Sequence, residues 1–228
     1  MNRRTIAGSG KVVYVALGRK GNAYVNPTNK CFTACRFCRK NALQKSVGAG
    51  LRFSREPSKR RFLSELKKNA EALRKAREIV FCGIGEPTLP FNRLVAAIKW
   101  TKQTLPDSKI RINTIGLAQW VYENRDVTKE LKEAGLDKIS VSLNALTAED
   151  HNRVCPLAPP YRRLLQRRAQ TPFEAVAEFV RRCVAQGIET HVSFVEFPGF
   201  KVSRKKAVEF AKKLGVDGKN VLIRKHIS

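Results

Sequence analysis

The sequence lacks several features that define other classes of protein. Its 228 residues contain no apolar run long enough to span a membrane, and the opening Met-Asn-Arg-Arg lacks the apolar segment of a secretory signal. We therefore expect a cytoplasmic protein with reduced thiols and no membrane partner, rather than a secreted protein with a disulfide framework. The chain also has no internal repeat, low-complexity tract or linker, which predicts a single domain over residues 1–228.

Acidic residues are scarce. There are 19 Asp and Glu residues against 45 Lys and Arg residues, which gives a net charge of +26 and a sequence pI near 10.4. A field of this sign attracts polyanions, so RNA or another anionic substrate is one expected partner. Basic proteomes and high-temperature or high-salt lifestyles produce the same surface without any nucleic acid, so charge alone leaves both interpretations open.

Short apolar and β-branched runs predict strands, and amphipathic stretches between them predict helices. The predicted strands are Lys11–Leu17, Ala23–Asn26, Glu78–Cys82, Lys109–Asn113, Lys138–Leu143, Thr190–Val195 and Asn220–Arg224. The predicted helices are Lys59–Arg77, Phe91–Thr104, Val127–Glu133, one from a capping box at Thr171 to Gly187, and one from Ser203 to Gly215. Residues 18–22 read as a hairpin turn, so residues 1–22 form an N-terminal hairpin extension.

Leaving out the first hairpin arm, six strands alternate with helices, which implies parallel βαβ units. Six units are too few for the closed eight-stranded barrel, so we predict an α/β fold with a partial (β/α)6 barrel. An open doubly wound sheet is the alternative. The barrel is favoured because each motif that carries chemistry follows a strand at its carboxyl end.

Three cysteines stand together as Cys-Phe-Thr-Ala-Cys-Arg-Phe-Cys directly after a predicted strand: Cys31, Cys35 and Cys38. Three thiolates in one short loop can hold three irons of a [4Fe–4S] cluster, which leaves one iron open because no fourth cysteine lies nearby. A zinc site is the alternative, but it would need a second paired Cys or His group. The remaining cysteines, predicted to be small buried hydrophobes, are Cys82, Cys155 and Cys183.

The C-x3-C-x2-C spacing resembles the radical S-adenosylmethionine (radical SAM) superfamily. In that family such cysteines bind a [4Fe–4S] cluster, and the amino and carboxylate groups of SAM chelate the fourth iron. The residue before the third cysteine is usually aromatic and lies by the adenine, and here it is Phe37. The phrase from Tyr24 to Cys31, Tyr-Val-Asn-Pro-Thr-Asn-Lys-Cys, resembles more narrowly the TatD-associated radical SAM proteins. The resemblance covers nearly the whole chain and implies the same partial barrel.

The resemblance also assigns a role to the turn after the predicted strand Glu78–Cys82. Ile84-Gly85-Glu86-Pro87 matches the Gly-Gly-Glu-Pro stretch that binds the methionine amino group of SAM in the family, with Ile in the first position. Gly85 lets a backbone approach a ligand closely, and Glu86 can pair with an ammonium group. The alternative is a plain turn between a strand and a helix.

Two further turns correspond to SAM contacts in the family. Asn113-Thr114-Ile115-Gly116 stands where relatives often read Thr-Asn-Gly, so Asn113 or Thr114 is expected to reach SAM even though Ile115 departs from the pattern. Ser142 and Asn144 end the next predicted strand and correspond to positions that contact the SAM ribose or carboxylate. Ordinary polar residues that bond to their own backbone are the alternative.

Substrate contacts are expected at the ends of the last two strands, from Glu196 and Arg224. Basic residues surround the same face in the prediction. They are Arg162, Arg163, Arg167 and Arg168 in the segment Cys155–Gln170, and Arg36, Arg39, Lys40 and Lys45 in and after the cysteine loop. Such a mouth would suit an anionic substrate, whereas the alternative is an exposed amphipathic helix with a solvated face.

The resemblance implies an enzyme that takes an electron from a flavodoxin- or ferredoxin-type donor. It would cleave SAM to methionine and a 5′-deoxyadenosyl radical that abstracts hydrogen from an unidentified substrate. Alternatives are an RNA- or nucleotide-modifying or a protein-radical-activating member of the family, or a non-catalytic iron–sulfur or zinc module that binds nucleic acid. Gly85-Glu86-Pro87 and Ser142-Leu143-Asn144 favour the enzymes, because a binding module needs no SAM cradle.

Overall fold

The structure is a computed structural model that describes residues 13–15, 21–38, 52–165 and 169–225. Its strands follow one another in the sheet in chain order. They are β1 (Val13–Val15), β2 (Ala23–Val25), β3 (Glu78–Phe81), β4 (Lys109–Thr114), β5 (Lys138–Asn144), β6 (Glu189–Glu196) and β7 (Val221–Lys225).

The helices lie between these strands, as the alternation in the sequence predicts. They are α1 (Lys59–Lys68), α2 (Ala70–Arg74), α3 (Phe91–Thr104), α4 (Ala118–Val121), α5 (Val127–Glu133), α6 (Ala148–Val154), α7 (Pro159–Leu165), α8 (Pro172–Ala185) and α9 (Arg204–Lys213), with a 3-10 turn at Gly218–Asn220. None of the helices in the described part of the chain is long and apolar enough to cross a membrane.

The strand pairing confirms the predicted fold class. β1 is antiparallel to β2, as the hairpin predicts, whereas β2 with β3, β3 with β4, and β6 with β7 are parallel. β1 and β7 stand at the two ends of the strand order, so the sheet formed by the described residues is not closed. The chain therefore has an α/β fold with an open sheet of six parallel strands.

The predicted helix Lys59–Arg77 is wrong in one respect, because the structure divides it into α1 and α2. Ser58 caps α1 as expected, since its side chain accepts a hydrogen bond from the Arg61 amide. The break falls at Asn69, whose side-chain amide donates to the Glu65 carbonyl at 2.7 Å. Asparagine side chains compete with helix hydrogen bonds in this way, which explains the interruption.

The chain divides into two compact units. The first consists of residues 1–31, 39–113 and 130–138, and the second of residues 32–38, 114–129 and 139–228. Fully buried side chains of the first include Phe62, Leu66, Ile79, Leu94 and Ile110. Those of the second include Val141, Phe179, Val180, Val192 and Phe194. The single domain over residues 1–228 stays a prediction.

Candidate functional site

In the first unit, the segment before Cys31 is bonded to the turn that follows β3. The Cys82 amide donates to the Val25 carbonyl at 2.9 Å, and the Glu86 amide donates to the Lys30 carbonyl at 2.8 Å. β2 and β3 are parallel neighbours, so the two segments leave adjacent strands at the same edge of the sheet. The cysteine motif and the Gly-Glu-Pro motif therefore begin side by side.

This contact requires the two glycines of the Gly-Ile-Gly-Glu stretch. A Cβ atom on Gly85 would lie 2.3 Å from the Lys30 carbonyl oxygen and 2.5 Å from that of Thr28. A Cβ atom on Gly83 would lie 2.2 Å from the Asn26 side-chain oxygen. Real Cβ atoms do not approach other atoms so closely, so both positions exclude larger residues.

The Glu86 side chain is buried at the end of this turn, with 2% of its surface exposed. One carboxylate oxygen accepts hydrogen bonds from the Thr88 amide at 3.1 Å and from the Thr88 hydroxyl at 2.6 Å. Thr88 therefore fixes the orientation of the carboxylate. Glu86 lies in a turn at the carboxyl end of a parallel strand, which is where α/β folds carry their ligand-binding groups.

In the second unit, residues 32–38 of the cysteine loop pair with the end of α6 and the segment after it. The Ala34 amide donates to the Pro156 carbonyl at 2.8 Å, and the Arg36 amide donates to that of Val154 at 3.0 Å. Within the loop, the Cys38 amide donates to the Cys35 carbonyl at 3.1 Å, which closes a turn. The backbone that carries Cys35 is thus held in place, while the Cys38 side chain is exposed.

Asn144 shows two signs of a binding position at the end of β5. Its φ of 62° lies in the left-handed region, which is unusual for a residue other than glycine. Its side-chain amide donates to the Ser142 carbonyl at 3.2 Å and to the Cys155 sulfur at 3.3 Å. Its side-chain oxygen is buried and has no hydrogen-bond partner among the described residues. A buried acceptor of this kind is costly unless a ligand or water supplies a donor.

Arg224 of β7 lies near the same group of residues. Its guanidinium donates to the Ser142 hydroxyl at 3.4 Å. Desolvation lowers the pKa of Arg224 from its ordinary value, and the thiols of Cys155 and Cys35 partly offset that effect. The structure therefore brings Ser142, Asn144 and Arg224 together with Cys155 in the second unit.

The other predicted contacts of the second unit lie in turns. The Thr114 hydroxyl accepts a hydrogen bond from the Gly116 amide at 3.0 Å. The Glu196 carboxylate accepts one from the Val202 amide at 3.2 Å, so it serves its own turn. The Phe37 ring lies 6.1 Å from the Phe197 ring, which places the residue before the third cysteine in an aromatic contact.

Two cysteines outside the loop, Cys82 and Cys183, resist deprotonation. Burial raises the pKa of Cys82 to about 12 and also raises the pKa of Cys183 above its ordinary value. A thiol that resists deprotonation does not bind metal readily, because the thiolate is the ligand. Cys155 and Cys183 are buried, as the sequence predicts, whereas Cys82 is only half-buried.

The basic residues are only partly within the described ranges. Arg36, Arg162 and Arg163 are exposed, and the Arg162 side chain donates to the Leu157 carbonyl at 3.0 Å. The other predicted basic residues lie outside the described residues, and they are Arg39, Lys40, Lys45, Arg167 and Arg168. Arg162 and Arg163 belong to α7, which matches the alternative of an exposed helix.

The donor set fits an iron–sulfur cluster in its chemistry. The loop supplies three thiols within eight residues, Cys31 and Cys35 half-buried and Cys38 exposed, and thiolates are the usual ligands of such clusters. Across the described ranges, no three His, Cys, Asp or Glu side chains are already gathered as a metal-binding group. In the second unit, the buried acceptor of Asn144 would suit a ligand that supplies a hydrogen-bond donor.

Two residue clusters escaped the sequence analysis. Glu56, Arg93 and Phe53 contact the Pro27–Asn29 segment, and Cys155 contacts Asn144. The Asn-Pro-Thr-Asn phrase was one available signal, because Asn and Thr side chains bond readily to nearby loops. Nothing in the sequence identifies their partners.

Comparison with models of known protein families identifies the family of this chain. Residues 25–214 match the family model of the radical SAM superfamily. No curated protein matches the chain in sequence. Among solved structures, Streptococcus suis SuiB bound to S-adenosylmethionine is similar over 92% of this chain and 40% of its own, at 14% identity and a TM-score of 0.61.

Two other solved structures show the same fold. The FeFe-hydrogenase maturase HydG from Carboxydothermus hydrogenoformans is similar over 91% of this chain and 44% of its own, at 16% identity and a TM-score of 0.58. anSMEcpe with bound AdoMet is similar over 90% and 51%, at 16% identity and a TM-score of 0.58. The chain spans about half or less of these proteins. The family match and the fold together support an enzyme of the radical SAM class. Membership of this family implies SAM and an iron–sulfur cluster as cofactors.

Proposed function

Because the chain belongs to the radical SAM superfamily, we propose that it is a radical SAM enzyme that binds one [4Fe–4S] cluster through Cys31, Cys35 and Cys38. The observation that carries this proposal is the contact between the two motifs in the first unit. The segment that leads into Cys31 and the turn that carries Glu86 share a backbone hydrogen bond of 2.8 Å. A cluster ligand and a SAM-binding carboxylate thus start from one fixed junction.

SAM would be held by residues from several strand ends. Glu86 would accept hydrogen bonds from its ammonium group, in the orientation that Thr88 fixes. The Asn144 side-chain oxygen, which is buried and lacks a partner among the described residues, would accept one from the ribose or amino acid portion. Phe37 would lie by the adenine, and Gly85, Thr114 and Ser142 complete the proposed set.

The reaction follows from what the family's cofactors supply. With an electron from a flavodoxin- or ferredoxin-type donor, the bound cofactors would yield methionine and a 5′-deoxyadenosyl radical, which takes a hydrogen atom from the substrate. The chain's own residues bind and orient SAM and keep water from the site. We propose that the protein is a cytoplasmic oxidoreductase or transferase. Within the superfamily it is most similar to the TatD-associated group, because of the phrase from Tyr24 to Cys31.

Anaerobic reconstitution tests this function directly. We expect about four irons and four sulfides for each chain, together with 5′-deoxyadenosine after addition of SAM and a strong reductant. Protein in which Glu86 is replaced by glutamine should hold the same iron and form less 5′-deoxyadenosine. Stoichiometric zinc without iron would favour the alternative of a zinc module, and iron without SAM cleavage would favour a non-catalytic iron–sulfur protein.

The substrate proposed here is anionic, with RNA first among the alternatives. The net charge of +26 supports it, as do exposed Arg162 and Arg163 on α7. Arg224 adds a guanidinium close to Cys35 and Ser142. Positive groups of this kind favour the encounter with phosphates.

Salt dependence distinguishes a specific RNA surface from general charge. Each phosphate contact should contribute about −0.7 to −0.9 to the slope of log affinity against log salt. Replacing Arg162, Arg163, Arg167 and Arg168 by glutamine should flatten that slope while SAM cleavage persists. The matched control replaces four basic residues of α1, which are Lys59, Arg60, Lys67 and Lys68. Equal losses in both variants, or no RNA binding near physiological salt, would end the RNA proposal.

A further inference from the structure

The segment that leads into Cys31 is held by residues that neither cysteine motif nor SAM motif contains. The Glu56 carboxylate accepts two hydrogen bonds from it, one from the Thr28 hydroxyl at 2.9 Å and one from the Asn29 amide at 2.8 Å. The Thr28 hydroxyl in turn accepts a hydrogen bond from the Lys30 amide at 3.0 Å. Glu56 thus reaches, through Thr28, to the residue directly before the cysteine.

A second pair of bonds closes the same stretch of chain. The Asn29 side-chain amide donates to the Phe53 carbonyl at 2.7 Å, and its oxygen accepts from the Phe53 amide at 3.2 Å. These two bonds join residues 24 apart, one before the cysteine loop and one after it. Bonds that close a long loop restrict where its ends can go, which fixes the starting point of the cysteine motif.

Arg93 of α3 completes the arrangement from a distant part of the sequence. Its guanidinium donates to the Pro27 carbonyl at 2.6 Å and lies 3.6 Å from the Glu56 carboxylate. Both side chains are partly buried, with 14% and 28% of their surfaces exposed. A charge pair that also bonds to backbone is positioned more firmly than an exposed pair on a helix.

We propose that Glu56 and Arg93 are positioning residues for the cofactor site, acting on Cys31 through Pro27–Lys30 and on Glu86 through the Lys30 carbonyl. The proposal rests on the proposed function for its consequence in catalysis. Its structural part stands on the hydrogen bonds alone, because the Lys30 carbonyl accepts the Glu86 amide at 2.8 Å. Loosening the segment should therefore disturb both the first cysteine and the SAM-binding carboxylate.

The chain offers a matched control in the same unit. Glu78 and Arg111 form another partly buried pair at 2.9 Å, with 18% and 17% of their side chains exposed. Glu78 begins β3, whereas the Gly83–Glu86 turn follows the end of that strand. The control variant Glu78→Ala therefore removes a similar ion pair at the opposite end of β3.

Hydrogen exchange measured by mass spectrometry tests the structural part in protein without metal. In Glu56→Ala, peptides that cover residues 26–31 and 83–88 should exchange about tenfold faster than in wild type. The Asn29 amide loses its acceptor, and the Lys30 carbonyl that accepts the Glu86 amide is held less firmly. Arg93→Met should act in the same direction, and Arg93→Lys should restore part of the protection. In Glu78→Ala the same peptides should exchange at the wild-type rate. Equal exchange in Glu56→Ala and Glu78→Ala would overturn the proposal.

The functional part is read on reconstituted protein by SAM binding and by electron paramagnetic resonance. Glu56→Ala should bind SAM about tenfold more weakly and show a smaller SAM-dependent change in the spectrum of the reduced cluster, whereas Glu56→Gln should lie between it and wild type. Faster exchange with wild-type SAM affinity and spectrum would reduce the two residues to a role in stability and contradict positioning. If wild type binds no cluster, the proposed function fails, and exchange alone decides on the two residues.

Discussion

The two units hold their predicted site residues in different ways. In the first unit, the Pro27–Lys30 segment forms hydrogen bonds of 2.6 to 3.2 Å with four residues, which are Phe53, Glu56, Glu86 and Arg93. In the second unit, the side-chain oxygen of Asn144 is buried and has no partner within the described ranges. Arg224 of the second unit reaches Ser142 only at 3.4 Å, near the limit for a hydrogen bond.

This difference indicates that the two units have different roles in binding a ligand. Groups that must have the same position with or without ligand are held by many short hydrogen bonds, which is how cofactor sites are preorganised. Groups that complete their bonding only with a ligand keep an acceptor or a cation available. We infer that the first unit presets Cys31 and Glu86, whereas the second gains hydrogen bonds when a ligand binds.

The largest expected effect concerns the cysteines. Serine in place of Cys31, Cys35 or Cys38 should abolish iron binding after anaerobic reconstitution, because each change removes one of three thiolates. Alanine in place of Cys82 or Cys183 should leave the iron content unchanged, since burial keeps both thiols protonated. Iron analysis of purified protein checks this, and full iron content in a Cys38→Ser variant would contradict it.

The next effect concerns the rigidity of the first unit. Gly85→Ala should lower the free energy of unfolding by about 3 kcal/mol, because its Cβ atom would meet backbone atoms of Lys30 and Thr28 at 2.3 and 2.5 Å. Gly21→Ala is the control, since nothing lies within 4 Å there and only its φ of 64° adds strain. The control should cost about 1 kcal/mol. Urea unfolding compares the two variants. Equal losses of free energy of unfolding would show that the contact between the Gly85 turn and the Thr28–Lys30 backbone is not rigid.

Glu86→Gln should weaken SAM binding while the cluster remains. Loss of a charge-assisted hydrogen bond costs about 1.5–3 kcal/mol, or about ten- to a hundredfold in affinity. Glu78→Gln at the start of β3 serves as the control and should bind SAM as wild type does. Calorimetry on reconstituted protein measures both affinities. Unchanged affinity in Glu86→Gln would remove this carboxylate from the site.

The smallest expected effect concerns the second unit. Asn144→Gly keeps the φ of 62° without strain but removes the buried acceptor, so SAM affinity should fall about fivefold. The free energy of unfolding should fall by about 1–2 kcal/mol, because the side-chain amide loses its bonds to the Ser142 carbonyl and the Cys155 sulfur, whereas the oxygen without a partner among the described residues contributes little. Asn220→Gly, in the turn before β7, is the control for affinity. A large loss of stability without loss of affinity would make Asn144 structural.

Much of the fold could be predicted from sequence because the relevant signals are local. Alternating and β-branched runs identify β3 to β7 within one residue at each end, and α3 and α5 have the predicted bounds. The break at Asn69 was not predicted, because a single side-chain bond to the Glu65 carbonyl outweighs the helical spacing. α4 has four residues, too few to show a helical period, and α6 (Ala-Glu-Asp-His-Asn-Arg-Val) has too few apolar residues to mark a buried face.

The site was predictable only where a motif carries it. The cysteine spacing and the Gly-Glu-Pro turn mark Cys31 and Glu86 as candidates from sequence alone. The contacts of Glu56 and Arg93 join residues 27 and 66 apart, and no local pattern encodes such pairs. The left-handed conformation of Asn144 is also set by its surroundings, since asparagine adopts it in many contexts.

The central claim is that the cysteine loop supplies three cluster ligands and leaves one iron for SAM. Electron paramagnetic resonance of the reduced, reconstituted protein with and without SAM tests it most directly. We expect the signal of one [4Fe–4S] cluster for each chain, with a spectrum that changes when SAM is added, because SAM becomes a ligand of the open iron. A spectrum that is unchanged at saturating SAM, or protein that takes up zinc and no iron, would contradict the claim.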